Sequence, residues 1–191
     1  MSEPVLTAMA GHGVSVESLD GAGAVAWREA LADIYAVVFT EPPYEEGPQQ
    51  VAQYAKSLPD EFARPGFALT LAFASGTPIG FAYGFTMTAD MPVWPLLTDP
   101  VGRNLPPAAA NEGRLFFMLE LAVDPGWRRH GVGRMLHDTL IATRKEKAAI
   151  LTTRSEALPA RSLYLSRGWV AAGSLTRPGH PDHDVLLKTL G

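Results

Sequence analysis

The 191-residue chain contains no cysteine. That excludes a disulfide frame, a thiol nucleophile and a thiolate metal site. Long apolar runs are missing too: no window approaches the ~20 apolar residues of a membrane span. The first ten residues lack a basic segment followed by a long apolar one, so they do not read as a secretory signal. Excess positive charge is also absent. A net charge of −4 argues against nonspecific binding to nucleic acid or anionic membranes. No internal repeat, low-complexity run or interdomain linker is visible. The expectation is one cytoplasmic domain spanning residues 1–191, long enough to bury a proper core, with neither nucleic acid nor membrane as partner.

What is present centres on Leu115 to Leu140, LFFMLELAVDPGWRRHGVGRMLHDTL. Leu115 to Val123 is almost wholly apolar and is interrupted by Glu120, which suits a strand buried on both faces. Asp124-Pro125-Gly126 is a turn that stops it. From Arg128 a helix is expected, with Val132, Met135, Leu136, Thr139 and Leu140 on one side. Two glycines, Gly131 and Gly133, remove side chains where the chain enters that helix. Backbone N–H groups from Arg129 through His130, Gly131, Val132 and Gly133 to Arg134 can then converge on one point. A helix N-terminus carries about half a positive charge, and Arg128, Arg129 and Arg134 add formal charge. The junction is suited to a phosphate or pyrophosphate. It is not a Rossmann fingerprint, because Leu136 stands where a third glycine would be needed. It is not a Walker loop, because Arg134-Met135 replaces Lys-Ser/Thr.

The rest of the chain supplies alternating elements. Met1 to Gly13 reads as a loose arm, Val14 to Leu19 as a strand and Asp20 to Gly23 as a turn. Helices are expected over Ala24 to Phe39 and from about Gly47 to Leu58, with Glu41-Pro42-Pro43-Tyr44 between them. Trp27 and Tyr35 read as core packing. Phe67 to Phe73 and Ile79 to Met87 form a hairpin around Ser75-Gly76-Thr77-Pro78. Residues 88–113 are a long irregular insertion with five prolines, either a binding lid or a surface loop packing its own apolar residues. Ala148 to Thr153 is a strand, Leu158 to Arg167 a short helix closed by Gly168. Val170 to Leu175 and Asp184 to Leu190 are a final antiparallel pair.

The central stretch resembles the GNAT superfamily of acyl-CoA-dependent N-acyltransferases. Its fingerprint, Arg/Gln-x-x-Gly-x-Gly/Ala after an apolar-Val-x-Pro strand end, stands here as Leu121-Ala122-Val123-Asp124-Pro125 and Arg128-Arg129-His130-Gly131-Val132-Gly133. A second match is Ala160-Arg161-Ser162-Leu163-Tyr164-Leu165-Ser166-Arg167-Gly168-Trp169, similar to the family's Ala-x-x-Leu-Tyr-x-x-x-Gly-Phe segment. The motifs cover roughly residues 115 to 190; the first half matches in element order only. The resemblance implies an α/β (α+β) fold. Its sheet would be mixed, mostly antiparallel, of about seven strands, flanked by helices on both faces and splayed at the central strands. It also implies acetyl-CoA as co-substrate, no metal, and transfer of the acetyl group to an amine acceptor.

Family likeness would place the pantetheine arm against the backbone of Leu121, Ala122 and Val123, as an added strand pairs with an open edge. An N–H there could bind the developing oxyanion. An alkyl ammonium with pKa near 10 must lose a proton before attack. Glu120, the one ionisable side chain between Leu115 and Val123, is the candidate base; it could equally be a structural acceptor or bind the ammonium without moving protons. Tyr164 stands where the family's tyrosine acid stands, and would protonate the leaving thiolate; the alternative is a core tyrosine. The family's asparagine seven residues before that tyrosine is Ala157 here, so one cofactor contact is in doubt, with Ser155 or Arg154 as conceivable substitutes.

The acceptor is less defined. Glu41, Tyr44, Glu45 and Glu46 follow the first helix, and Asp90, Trp94 and Asp99 lie in the insertion. Of these, Glu41, Tyr44 and Trp94 are the candidate substrate residues, since carboxylates and an aromatic face suit an amine or polycation. His180-Pro181-Asp182-His183 reads as a polar hairpin loop or as metal ligands lacking a third partner. Three functions compete: a small-amine N-acetyltransferase, a protein or peptide N-acetyltransferase, and a CoA-binding sensor without turnover. A homodimer is left open.

Overall fold

The computed structural model describes residues 7–9, 13–89, 91, 113–175 and 181–191. Two compact units divide the chain: Met1–Phe85 with Glu120–Thr143, and Thr86–Leu119 with Arg144–Gly191. The chain passes from the second back to the first inside one strand, between Leu119 and Glu120. The sheet is mixed and mostly antiparallel, with helices alternating along the chain, as the expected α/β class requires.

In the first unit the strands are β1 (Thr7–Met9), β2 (Val14–Leu19), β3 (Ala68–Ala74), β4 (Thr77–Thr86) and the C-terminal half of β5 (Leu115–Val123), neighbours in that order. The arm expected at Met1 to Gly13 thus holds a short strand, antiparallel to Val14–Val16. β2 alternates buried Val14 and Val16 with half-buried neighbours, and β3 is buried throughout. Ser75 and Gly76 make a two-residue hairpin turn, both with positive φ of 49° and 81°, the geometry that matches strand twist. The turn expected at Asp20 to Gly23 is instead the start of a helix: the Asp20 side chain accepts from the Gly23 N–H and caps α1 (Gly21–Ala24). After a 3₁₀ turn at Val25–Trp27 comes α2 (Arg28–Phe39).

Helix α3 runs Pro48–Phe62, four residues past the expected end at Leu58. Tyr54, Leu58 and Phe62 continue one buried stripe at four-residue spacing. Pro59 cannot donate to the Ala55 carbonyl one turn back. Arg28 does so instead, its guanidinium donating to the Ala55 oxygen at 3.2 Å. Helix α4 (Val132–Ala142) buries Val132, Leu136 and Leu140 as expected, and also His137. The buried Thr70 hydroxyl lies 3.2 Å from the Ala82 carbonyl and 3.1 Å from that of Leu136, joining β3 to α4.

The second unit holds the N-terminal half of β5, then β6 (Ala148–Arg154), α5 (Leu158–Ser166), β7 (Val170–Leu175) and β8 (His183–Thr189). Its strand order is β5-β6-β8-β7. β5 and β6 are parallel, and their ladder covers only Leu115–Phe117 against Ala148–Ile150. β6 and β8 pair antiparallel along the whole of β6. Of the expected insertion at 88–113, residues 90 and 92–112, with Asp90, Trp94 and Asp99, lie outside the described residues, as does His180.

Candidate functional site

The junction after β5 is built from backbone first. The Asp124 N–H donates to the Ile79 carbonyl at 2.9 Å, and the Asp124 carboxylate accepts from the Gly126 N–H at 2.8 Å. A 3₁₀ turn at Pro125–Trp127 follows. Arg129 and Gly131 then both take left-handed conformations, with φ of 65° and 82°. Neither can be helical, so α4 starts at Val132 and not at Arg128 as the periodicity suggested. A non-glycine residue held at positive φ costs on the order of 1–3 kcal/mol, and such strain gathers at ligand sites. A Cβ built on Gly131 would meet no atom within 4 Å, so the space before the helix is open. The first-turn amides of α4 have no acceptor within their own helix. Alternation of backbone handedness ahead of a helix makes an anion-binding concavity. The residues present therefore fit a diphosphate.

The three arginines differ. Arg129 and Arg134 are exposed. Arg128 is anchored: its Nε donates to the Val123 carbonyl at 3.3 Å and its Nη1 to Glu41 Oε2 at 2.8 Å. Glu41 and Arg128, singled out separately in the sequence, are thus brought together. His130 Nδ1 lies 2.8 Å from the Arg128 carbonyl, and its ring meets Trp127 edge-on. Tyr44 packs against Phe39, with ring centroids 4.6 Å apart. Of the strand residues expected to hold the arm, Leu121 is partly exposed, and Ala122 and Val123 are buried. Gly80 on β4 lies against them: a Cβ there would come within 2.8 Å of the Ala122 carbonyl oxygen.

Glu120 sits among aromatic hydroxyls and carboxylates. Burial, reinforced by the charges of Glu46 and Glu61, pushes its pKa up to about 8. Among the described residues no basic side chain pairs with it. Tyr35 donates its hydroxyl to Glu46 Oε2 at 2.7 Å and stacks on Tyr54, with centroids 3.6 Å apart and planes 8° from parallel. Burial, and then the Glu120 charge, raise the pKa of both phenols; Tyr83 is raised by burial, by Tyr54 and by Glu120. Tyr35 packs with Phe39 and Tyr54, while Trp27 packs edge-on against Phe73, so the two aromatics read together as core belong to different contacts.

In the second unit, Tyr164 on α5 is buried and meets the fully buried Trp169 edge-on at 6.0 Å. Ala157, where the family asparagine would stand, is buried. Ser155 is committed elsewhere: its hydroxyl donates to Asp184 Oδ1 at 2.9 Å, and Arg161 Nε donates to Asp184 Oδ2 at 2.6 Å. Asp184 of β8 thereby ties the end of β6 to α5. His183 hydrogen-bonds through Nδ1 to the Pro181 carbonyl at 2.9 Å. Among the described residues no three His, Asp or Glu side chains form a metal site, and no helix is long and apolar enough to cross a membrane.

From Leu115 onward the chain thus runs through an apolar strand, a turn of alternating backbone handedness, a helix and a second strand parallel to the first. The acetyltransferase (GNAT) family model matches residues 25–169, and the chain belongs to that family. No curated protein sequence matches it. Among solved structures it is similar to a putative acetyltransferase of the GNAT family from Desulfovibrio desulfuricans, at 12% identity over 93% of this chain and 99% of that one, TM-score 0.66. It is also similar to the PaiA N-acetyltransferase from Thermoplasma acidophilum in complex with coenzyme A, at 13% identity over 92% and 98%, TM-score 0.62. A third is the ribosomal-protein-S18-alanine N-acetyltransferase from Escherichia coli, at 17% identity over 93% and 94%, TM-score 0.61. At these identities the likeness shows the fold.

Sequence reasoning missed the Tyr35–Tyr54–Tyr83 group and Glu61. The available signal was the choice of tyrosine, on α2, α3 and β4, where phenylalanine would pack as well. The strained backbone at Arg129 had no signal at all.

Proposed function

We propose that the protein is an N-acetyltransferase that moves the acetyl group of acetyl-CoA to a primary amine of a small molecule, by direct attack. When bound, acetyl-CoA supplies the activated acetyl thioester. Arg129, Arg134 and the amides from His130 to Arg134 hold its diphosphate, with Arg128 and Gly131 shaping the cradle. The backbone of Leu121, Ala122 and Val123, beyond the end of the β5–β6 ladder, pairs with the amide arm. Glu120 takes a proton from the incoming ammonium, leaving a neutral amine. The amine nitrogen forms a bond to the carbonyl carbon, the carbon–sulfur bond breaks with its electron pair going to sulfur, and the nitrogen gives up a second proton to solvent, from which the Tyr164 phenol is restored. Tyr164 protonates that sulfur, an assignment supported by the motif around it.

The observation that carries this reading is Glu120: a carboxylate on the cradle strand whose pKa is pushed up to about 8, matched to work near neutral pH. Small-molecule acceptors are favoured because the Glu120 charge acts on the buried phenols of Tyr35, Tyr54 and Tyr83. The test is an amine and peptide panel with acetyl-CoA, following free thiol. Transfer to small amines supports the reading. Transfer to peptides alone replaces it with protein acetylation, and coenzyme A binding without any transfer replaces it with a sensor.

A further inference from the structure

Among the described residues, Arg128 is the cradle arginine that already holds a carboxylate. Its Nη1 donates to Glu41 Oε2 at 2.8 Å, across 87 positions of sequence, and its Nε to the Val123 carbonyl at 3.3 Å. The second contact pins the guanidinium to the end of β5, where the chain enters the cradle turn. Glu41 is presented by a fixed turn of its own. Thr40 closes α2 by donating its hydroxyl to the Ala36 carbonyl at 2.7 Å. The Glu41 carbonyl accepts from the Tyr44 and Glu45 N–H groups at 3.0 and 3.1 Å, and the Glu46 N–H donates to the Phe39 carbonyl at 2.8 Å. At the far end the Glu46 carboxylate accepts from the Tyr35 hydroxyl. Little further ordering is needed for Glu41 to meet Arg128.

The pair does little for the fold. Its side chains are 41% and 44% exposed, and an exposed ion pair contributes little stability. For the cradle it matters more, because it cancels one of the positive charges gathered there. The turn from Arg129 to Arg134 starts beside Arg128 itself, and charges act over about 10 Å at 0.1 M salt. The guanidinium keeps N–H donors that a phosphate can use, but the Glu41 charge repels that phosphate and holds the same cation. The diphosphate that enters on acetyl-CoA leaves again on coenzyme A. A grip stronger than the reaction needs slows that release, a step that limits many enzymes.

Resting on the reading of this turn as the coenzyme's diphosphate site, we propose that Glu41 is a tethered counter-anion. It competes with the diphosphate for Arg128, and so sets how tightly the coenzyme is held and how readily it leaves. The carboxylate that the sequence suggested for the acceptor acts on the carrier instead.

The experiment measures coenzyme A affinity by calorimetry and acetyl-CoA kinetics by thiol release, at about 20 mM and about 500 mM sodium chloride. The proteins are wild type, Glu41→Gln, Glu41→Asp and Arg128→Gln. At low salt Glu41→Gln should bind coenzyme A about three- to tenfold more tightly. Its acetyl-CoA KM and its product-inhibition constant for coenzyme A should fall in step, with no gain in kcat. At high salt the difference should shrink below about twofold. Glu41→Asp keeps the charge and should not tighten binding, and Arg128→Gln should weaken it. A merely structural Glu41 would move Tm without this salt dependence. Unchanged or weaker binding in Glu41→Gln at low salt, a gain that survives high salt, or one shared by Glu41→Asp overturns the proposal. So does a raised acceptor KM with coenzyme affinity unmoved, which returns Glu41 to the acceptor. In each of these cases weakened binding in Arg128→Gln leaves the diphosphate reading intact. Failure of wild type to bind coenzyme A, or binding indifferent to both Arg128→Gln and Gly131→Glu, overturns that reading and the proposal together.

Discussion

Glu120→Gln tests the chemistry most directly. A carboxyl with pKa near 8 is about one-tenth ionised at pH 7 and about half ionised at pH 8, whereas an ordinary glutamate would be ionised throughout. If Glu120 is the base, kcat/KM should climb about tenfold per pH unit below 8 and level off above it. Glutamine cannot accept the proton. Its variant should lose that limb and run about 10²–10⁴-fold slower near pH 8, the usual contribution of a general base. Stability supplies an independent reading of the same pKa. Between about 4.5 and 8 the folded protein holds a proton that the unfolded chain has released. Folding stability must therefore fall as pH rises through that window, with the loss complete above 8. The loss is at most about 4–5 kcal/mol, and less because Glu120 keeps part of its surface in water. Glutamine carries no such linkage, so its Tm should decline less between pH 5 and pH 9. The assays are thiol release across pH 5.5–9.5 and thermal unfolding at both ends. An unchanged acid limb in Glu120→Gln refutes the base, and an unchanged Tm difference between the two proteins refutes the raised pKa.

Four further outcomes are expected. Gly131→Glu should abolish coenzyme A binding in calorimetry, because it places a carboxylate in the anion cradle. Gly131→Ala, which meets no atom but pays about 1–2 kcal/mol for its positive φ, should bind within tenfold of wild type. Tyr164→Phe should lower kcat with little change in acetyl-CoA affinity; equal turnover in the two proteins removes the acid assignment. Gly80→Ala should destabilise the fold by about 1–3 kcal/mol in denaturant unfolding, since the new methyl meets the Ala122 carbonyl at 2.8 Å and backbone cannot rotate aside.

The order of elements, the central strand Leu115–Val123 and the cradle were legible from the chain alone. Apolar runs, glycines and prolines act through a few neighbouring residues, and that is the range over which a sequence pattern can be read. Helix ends were less legible. α3 outruns Pro59 because Arg28, 27 positions before Ala55, donates to the Ala55 carbonyl that the proline cannot reach. α4 starts late because Arg129 adopts a conformation its side chain disfavours. Glu120 was visible as the odd residue in an apolar strand, but not its pKa, which depends on burial and on Glu46 and Glu61 from elsewhere in the chain. The same holds for the stacked tyrosines and for the pairing of Arg128 with Glu41. Sequence by itself settled the family, the strand Leu115–Val123 and the glycine that leaves open space in the turn after it. Tertiary structure alone decided which side chains from distant parts of the chain act on that strand's carboxylate, because electrostatics and desolvation act through space and not along the chain.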